Sequence, residues 1–383
     1  MSEIDAFARR VRAALPFWAE RGVDGRGGFY ESLDLDGRPN TNDARRTRVA
    51  FRQIYVFSAA SLAGDIDGAE IADRGLAEIE ARAWARCGAP GWAHRTGADG
   101  TVVDPRRDAY DHAFAVLALA YARKAAPSER ADRLFAETLA LLDGPFAHPA
   151  GGVRETLDAA AALRRQNPHM HLFEAYLAAY ALSGDPTLLA RADALLALFR
   201  TRFFAEGRLT EYFADDLSAA PAADRSRLEP GHQAEWIWLL RRRAGLAPLP
   251  DGADVDAACD ALWRGARAGE RALGGVLCDE TNTAGEPVRT TCRLWVQTEY
   301  LKAAIAEREA GRADAGAAAE SAARAINRRY LDPAPEHCWI DRIDAEGAAS
   351  AATVPASTLY HLYCAASEVS AASSDMRSAT NAS

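Results

Sequence analysis

A motif that returns about every 62 residues constrains this chain more than any other feature. Six short segments look alike: Gly27-Gly28-Phe29-Tyr30-Glu31, Gly91-Trp92-Ala93-His94, Gly151-Gly152-Val153-Arg154-Glu155, Gly207-Arg208-Leu209-Thr210-Glu211, Gly274-Gly275-Val276-Leu277-Cys278-Asp279 and Cys338-Trp339-Ile340-Asp341. Most carry glycine, then an apolar or aromatic residue, then alternation toward an acid. Turn dipeptides such as Asp36-Gly37, Asp99-Gly100 and Glu346-Gly347 follow several of them. Short alternating runs closed by such turns predict small β-hairpins. Anchored on Phe29, Trp92, Val153, Leu209, Val276 and Trp339, the spacings are 63, 61, 56, 67 and 63.

Two helical stretches fit between successive hairpins, at 45–63 and 67–87, 108–126 and 128–143, 165–183 and 185–204, 230–245 and 253–269, and 290–309 and 312–331. In the first of these, Val49, Phe51, Ile54, Tyr55, Phe57 and Ser58 recur at steps near 3 and 4. Pro186, Pro230 and Pro355 stand where helices are expected to open. The sixth hairpin is followed by one helix only, 354–371, and its mate is the N-terminal helix, 3–19. Six helix pairs whose last is completed by the first helix predict a closed ring, an all-α (α/α)6 barrel with hairpins gathered on one face. An open array would not need that completion and would need polar caps instead. The length of 383 residues, which alone suggests two or three domains, becomes one domain over 1–372 with a disordered tail over 373–383.

The first helix after each hairpin is the inner one, and unusual polar residues gather near its start. Arg52, His112, His171, His232, Gln297 and His361 lie 23, 20, 18, 23, 21 and 22 residues after their anchors. Near-equal offsets predict convergence on one pocket. Asp111 adjoins His112, Glu174 follows His171 by three, Glu235 follows His232 by three, and Glu299 sits in the Gln297 helix. Residues three apart share a helix face, so either of the first two glutamates could orient its histidine. Tyr55, Trp236 and Trp295 read equally as core or as walls against which a sugar stacks. His94, His148 and His337 fall in loops, with His94 placed to rim the pocket. Three or four clustered histidines could also hold a metal.

Other chemistries find no support. A net charge of −9 is wrong for a binder of nucleic acid or anionic membrane. No stretch is long and apolar enough to span a bilayer, and the acidic start Met1-Ser2-Glu3-Ile4-Asp5 is unlike a signal peptide. Six cysteines set far apart read as reduced and buried, which points to the cytoplasm. Phosphate-loop, dinucleotide, nucleophile-elbow and zinc-protease motifs are absent from the sequence.

Taken in order, several stretches resemble the N-acylglucosamine 2-epimerase superfamily, more in the manner of its D-mannose and sulfoquinovose isomerases than of its cellobiose epimerases. They are 27–34, Arg52-Gln53-Ile54-Tyr55-Val56-Phe57-Ser58, Asp111-His112-Ala113-Phe114, Asn167-Pro168-His169-Met170-His171, Glu229-Pro230-Gly231-His232-Gln233-Ala234-Glu235-Trp236, Leu294-Trp295-Val296-Gln297-Thr298-Glu299 and Tyr360-His361. The resemblance implies an (α/α)6 barrel and a sugar isomerase working through a cis-enediolate, most simply between D-mannose and D-fructose. It implies His232 and His361 as the acid/base pair, Arg52 as the group on the sugar oxygens, and His171 as a substrate ligand. Glu235 is then the partner of His232, with His112, Tyr55, Trp295, Glu299 and Asp111 as further substrate-binding candidates. No metal or nucleotide cofactor is implied, and a monomer or homodimer is expected. Leu294 stands where the epimerases carry the first of two tryptophans. Arg45, Arg46 and Arg48 leave room for a phosphorylated or sulfonated sugar. The rival classes are a glycan hydrolase or lyase on the same toroid, using carboxylates such as Asp108, and a non-catalytic helical scaffold.

Overall fold

A computed structural model describes residues 2–86, 88–158, 163–250 and 253–380, with side chains through Val369. Its helices are α1 (Glu3–Arg21), α2 (Thr47–Ala63), α3 (Ala69–Ala83), α4 (Ala109–Ala125), α5 (Glu129–Asp143), α6 (Asn167–Ser183), α7 (Pro186–Leu198), α8 (Ala222–Arg225), α9 (Pro230–Leu246), α10 (Asp256–Ala268), α11 (Leu294–Glu309), α12 (Ala315–Ile326) and α13 (Ser357–Thr380). Apart from the four-residue α8, these are the twelve expected helices. The outer helices α7 and α12 each finish in a π-helical turn, Phe199–Phe203 and Asn327–Leu331.

α2, α4, α6, α9, α11 and α13 contact one another in that order, and α13 returns to α2, so the ring is closed. α3, α5, α7, α10, α12 and α1 back them in turn. The two rings differ as their places demand. α4 is buried around its whole circumference, whereas α5 buries only a stripe of Ala131, Leu134, Phe135, Thr138, Leu141 and Leu142.

Five anchors pair antiparallel with the chain leaving the preceding outer helix: Phe29 with Val23, Trp92 with Trp84, Val153 with Ala147, Leu209 with Phe204 and Val276 with Arg271. A second pairing joins the repeats. The residues just before each inner helix pair with the next hairpin: Arg45-Arg46 with Arg95-Thr96, Asp108 with Thr156, Arg164-Arg165 with Tyr212-Phe213, Leu228 with Thr281, Cys292-Arg293 with Arg342-Ile343, and Val354-Pro355 with Ser32-Leu33. The last of these closes the ring across the ends of the chain. This pairing also explains why α2 and α11 start later than the apolar pattern suggested. Arg45-Arg46 and Cys292-Arg293 are extended because they are claimed by a neighbouring hairpin. At the seam, Trp18 stacks on Trp339 at 4.7 Å and donates to the carbonyl of His337 at 3.0 Å.

The backbone of α13 continues to Thr380, beyond the helix expected over 354–371 and into the stretch read as a tail; residues 381–383 lie outside those described.

Candidate active site

The chain enters each inner helix from the hairpin face, so six helix N-termini border one cavity of about 740 Å³. The positive ends of their helix dipoles favour negative charge developing there. Arg52 reaches the cavity from α2, Tyr110 from α4, Asn167 and His171 from α6, His232 and Glu235 from α9, Trp295 from α11 and His361 from α13.

Trp295 stands between two histidines, its ring 5.4 Å from His232 and 5.7 Å from His361. Each histidine turns Nδ1 onto a glutamate, His232 onto Glu211 at 2.9 Å and His361 onto Glu299 at 2.8 Å. Their charge states nevertheless diverge. Burial opposes a proton on His232, but the carboxylates of Glu229 and Glu211 outweigh it and raise the imidazole to about 10. For His361, burial, Arg52 and Lys302 act together and hold the ring well below the ordinary imidazole range. The surroundings thus favour the proton on His232 and oppose it on His361. Asn167 lies 3.1 Å from Nε2 of His232, and its Oδ1 is otherwise buried without a partner. With the amide oxygen turned to the ring, Nε2–H donates to it.

Arg52 is the cavity arginine with no carboxylate against it among the described residues. Its guanidinium lies over Phe114 at 4.2 Å and Tyr360 at 5.0 Å, and donates to Tyr110 at 2.9 Å. Deeper in the cavity, His171 bonds Glu174 at 3.1 Å and lies 3.6 Å from Glu235. Tyr360 donates to the other oxygen of Glu174. Burial, Glu299 and Glu174 push Glu235 well above the usual carboxylate range, and neither of its oxygens has a hydrogen-bond partner among the described residues. Two trios, His171-Glu174-Glu235 and Glu211-Glu229-His232, are close enough to share an ion. In both, however, an imidazole is already hydrogen-bonded to a carboxylate.

The structure corrects several sequence expectations. Glu235 is not the partner of His232; that place is taken by Glu211, the acid that ends the fourth hairpin. Helix rotation puts Glu235 toward His171 instead. His112 does not reach the cavity. Its Nδ1 bonds the carbonyl of Asp108 at 2.7 Å and its Nε2 accepts from the N–H of Trp92 at 3.2 Å. His169 does the same with Arg165 and Val153, and Gln297 with Arg293 and Leu277. These three fasten hairpins to inner helices. Tyr55 opens onto a different cavity, with Tyr121, Trp238 and Arg242, and accepts from the Cys364 thiol. Asp111 is fully buried behind the wall, held by His94 at 2.6 Å and Arg48 at 3.2 Å, and Glu299 lies behind His361. Sequence reasoning missed Tyr110, Asn167 and the role of Glu211. For Glu211 a signal existed, since most of the hairpins run toward an acid. Glu31, Glu155 and Asp279 likewise bond the N–H of the residue before or near the next helix.

A family model for N-acylglucosamine 2-epimerase matches residues 28–365. The chain belongs to the N-acylglucosamine 2-epimerase family, a family of sugar isomerases and epimerases. A relative from Rhizobium meliloti (strain 1021) named "Mannose-6-phosphate isomerase" is 36% identical over 93% of this chain and 94% of its own length. A D-mannose isomerase of Thermobifida fusca is 31% identical over 64% of this chain and 63% of its own. A solved D-mannose isomerase superposes with a TM-score of 0.85 at 22% identity, covering 96% of each chain. That likeness carries the (α/α)6 barrel of the family. Among the described residues no helix is long and apolar enough to cross a membrane.

Proposed function

We propose that this family member interconverts D-mannose and D-fructose by moving a proton between C2 and C1 of the open-chain sugar. The observation that carries the chemistry is the pair of histidines on either side of Trp295, each on its own glutamate, whose surroundings favour the proton on His232 and oppose it on His361. Environments that drive two titratable groups apart assign the base and the acid. Neutral His361 removes the proton next to the carbonyl. The His232 imidazolium and the Arg52 guanidinium bear on the oxygens of the cis-enediolate, where fixed positive groups act most strongly. Return of the proton by His361 to C1, with the O2 hydroxyl proton passing to O1, gives the ketose. His171, Glu235 and Trp295 hold the sugar; Glu211 and Glu299 hold the histidines. The isomerase names of the two sequence relatives favour this outcome over epimerisation, which would use the same pair to return the proton to the opposite face of C2.

A 6-phosphate substrate is a second reading, favoured by the name of the 36% relative and by a rim that carries Arg46, Arg48, Arg106, Arg165, Arg227, Arg289 and Arg293. Against it, each of these already faces a carboxylate: Glu31, Asp111, Asp104, Glu155, Glu280 for Arg227 and Arg289, and Asp279. The proposal takes in a metal-independent enzyme, monomeric or homodimeric. It also takes in a cytoplasmic location, supported by the buried, unpaired state of Cys259, Cys278, Cys292, Cys338 and Cys364; Cys87 lies outside the described residues.

Incubation in D2O with D-mannose, D-fructose, D-glucose, N-acetyl-D-mannosamine, cellobiose and mannose 6-phosphate, with and without EDTA, tests all of this by NMR. Ketose formation with exchange at C1 is expected from mannose. A C2-inverted aldose as main product would replace the proposal with an epimerase, turnover of the phosphate ester alone would move the substrate, and loss with EDTA would overturn metal independence.

A further inference from the structure

Both histidines of the pair bond a buried glutamate through Nδ1, yet their surroundings push the two rings in opposite directions. The difference lies behind the glutamates. Glu211 is met by neutral donors, the Gln166 amide at 2.9 Å and the N–H of Glu229 at 3.3 Å, and among the described residues no lysine or arginine pairs with it. Glu299 is met by Lys302. The Lys302 ammonium is fully buried and stands 2.7 Å from Glu299 Oε2. The contact is ionic, lying off the direction of a hydrogen bond. On its other side it lies 3.6 Å from the ring centroid of Trp238. Only two of the 45 basic residues of this chain are lysines, Lys124 and Lys302. A compact ammonium fits between a carboxylate and an indole face where a planar guanidinium needs more room.

We propose that Lys302 is a positioning residue that keeps His361 neutral. By balancing Glu299, it lets that carboxylate take the Nδ1–H of His361 and orient the ring without drawing a second proton onto Nε2. The inference rests on the assignment of His361 as the base. The charged and titratable groups around His361 are Arg52 from α2, His171 and Glu174 from α6, Glu235 and, across Trp295, His232 from α9, Glu299 and Lys302 from α11, and Tyr360 from α13 itself, its ring 4.7 Å away. From α1, on the far side of α13, Arg12 is bonded to Asp65 and to the carbonyl of Ala366. Of the α11 pair, Lys302 is the member whose removal leaves an uncompensated anion directly on the His361 ring. With Lys302 absent, the same carboxylate would stabilise an imidazolium, as Glu211 does for His232.

The test is an NMR titration of histidine-labelled protein, with the His361 signal assigned through His361→Asn, run beside the pH profile of kcat/KM. In the wild type, His361 should remain neutral at pH 7. In Lys302→Met, which keeps length and removes charge, its titration and the acidic limb of kcat/KM should both rise by about 2 pH units. A folded Lys302→Met protein whose His361 titrates as in the wild type would overturn the proposal. If Lys302→Met does not fold, the double variant Lys302→Met, Glu299→Gln buries no unpaired ion. It should hold His361 neutral at pH 7, and a protonated ring there would overturn the proposal equally. Because the titration needs no substrate, a moved titration without sugar turnover would uphold the role of Lys302 and defeat the isomerase reading instead.

Discussion

Replacing Glu211 with glutamine removes one of two carboxylates that keep His232 charged, while leaving an oxygen for Nδ1–H. The distance between about 10 and the ordinary 6.5 corresponds to about 5 kcal/mol in favour of the buried imidazolium. Glu229, 3.8 Å from Nδ1, and Glu211, at 2.9 Å, supply it against the opposing effect of burial. Removing one nearby charge should lower His232 by about 1–2 pH units. In the profile of kcat/KM for mannose from pH 5 to 10.5, the alkaline limb should then move down by that amount, while the acidic limb, set by His361, stays. Stability gives a second readout with a definite sign. The folded value of His232 lies above the unfolded one, so its contribution is complete below about 6.5 and is lost as pH rises through about 10. His361 has the opposite shift, so the unfolded chain binds a proton that the folded one refuses, and stability falls as pH drops below 6.5. Urea unfolding at pH 6 should therefore show Glu211→Gln weakened relative to wild type by more than at pH 9, by about 1 kcal/mol. An alkaline limb that does not move, or one that moves together with the acidic limb, would refute the assignment of His232 as the charged member.

Arg52→Lys keeps the charge but loses the planar stack on Phe114 and Tyr360, and kcat should fall about 100-fold with little change in Tm; steady-state kinetics beside calorimetry will show it. In Gly231→Ala the new Cβ would lie 2.6 Å from ring carbons of Trp295, so the indole must leave its place between the two imidazoles. A fall in kcat/KM of about 100-fold and a changed tryptophan emission are expected. His112→Ala strands the buried N–H of Trp92, and should cost about 2 kcal/mol in urea unfolding without shifting either limb of the pH profile.

The ring itself was legible from the sequence because it is built by repetition. Six hairpins near a 62-residue period, with a solitary last helix and an unpaired first one, leave little else to build, and the closing pairs Ser32 with Pro355 and Leu33 with Val354 realise it. The height of the polar residues was legible for the same reason, since equal offsets place residues at equal depth. Which face each residue presents was not. One residue turns a helix by about 100°, so offsets that agree only within a few residues do not separate His171, on the cavity, from His112, on the hairpin behind it. The partners were hidden more deeply. Glu211 is 21 residues before His232, and Glu299 is 62 residues from His361 and comes from the neighbouring repeat. The sequence by itself determined that histidines and one arginine would meet at the mouth of a helical ring. Only the tertiary structure decided that the surroundings of one imidazole would favour its proton and those of the other oppose it, because that depends on which buried charges the packing brings within a few ångströms of each ring.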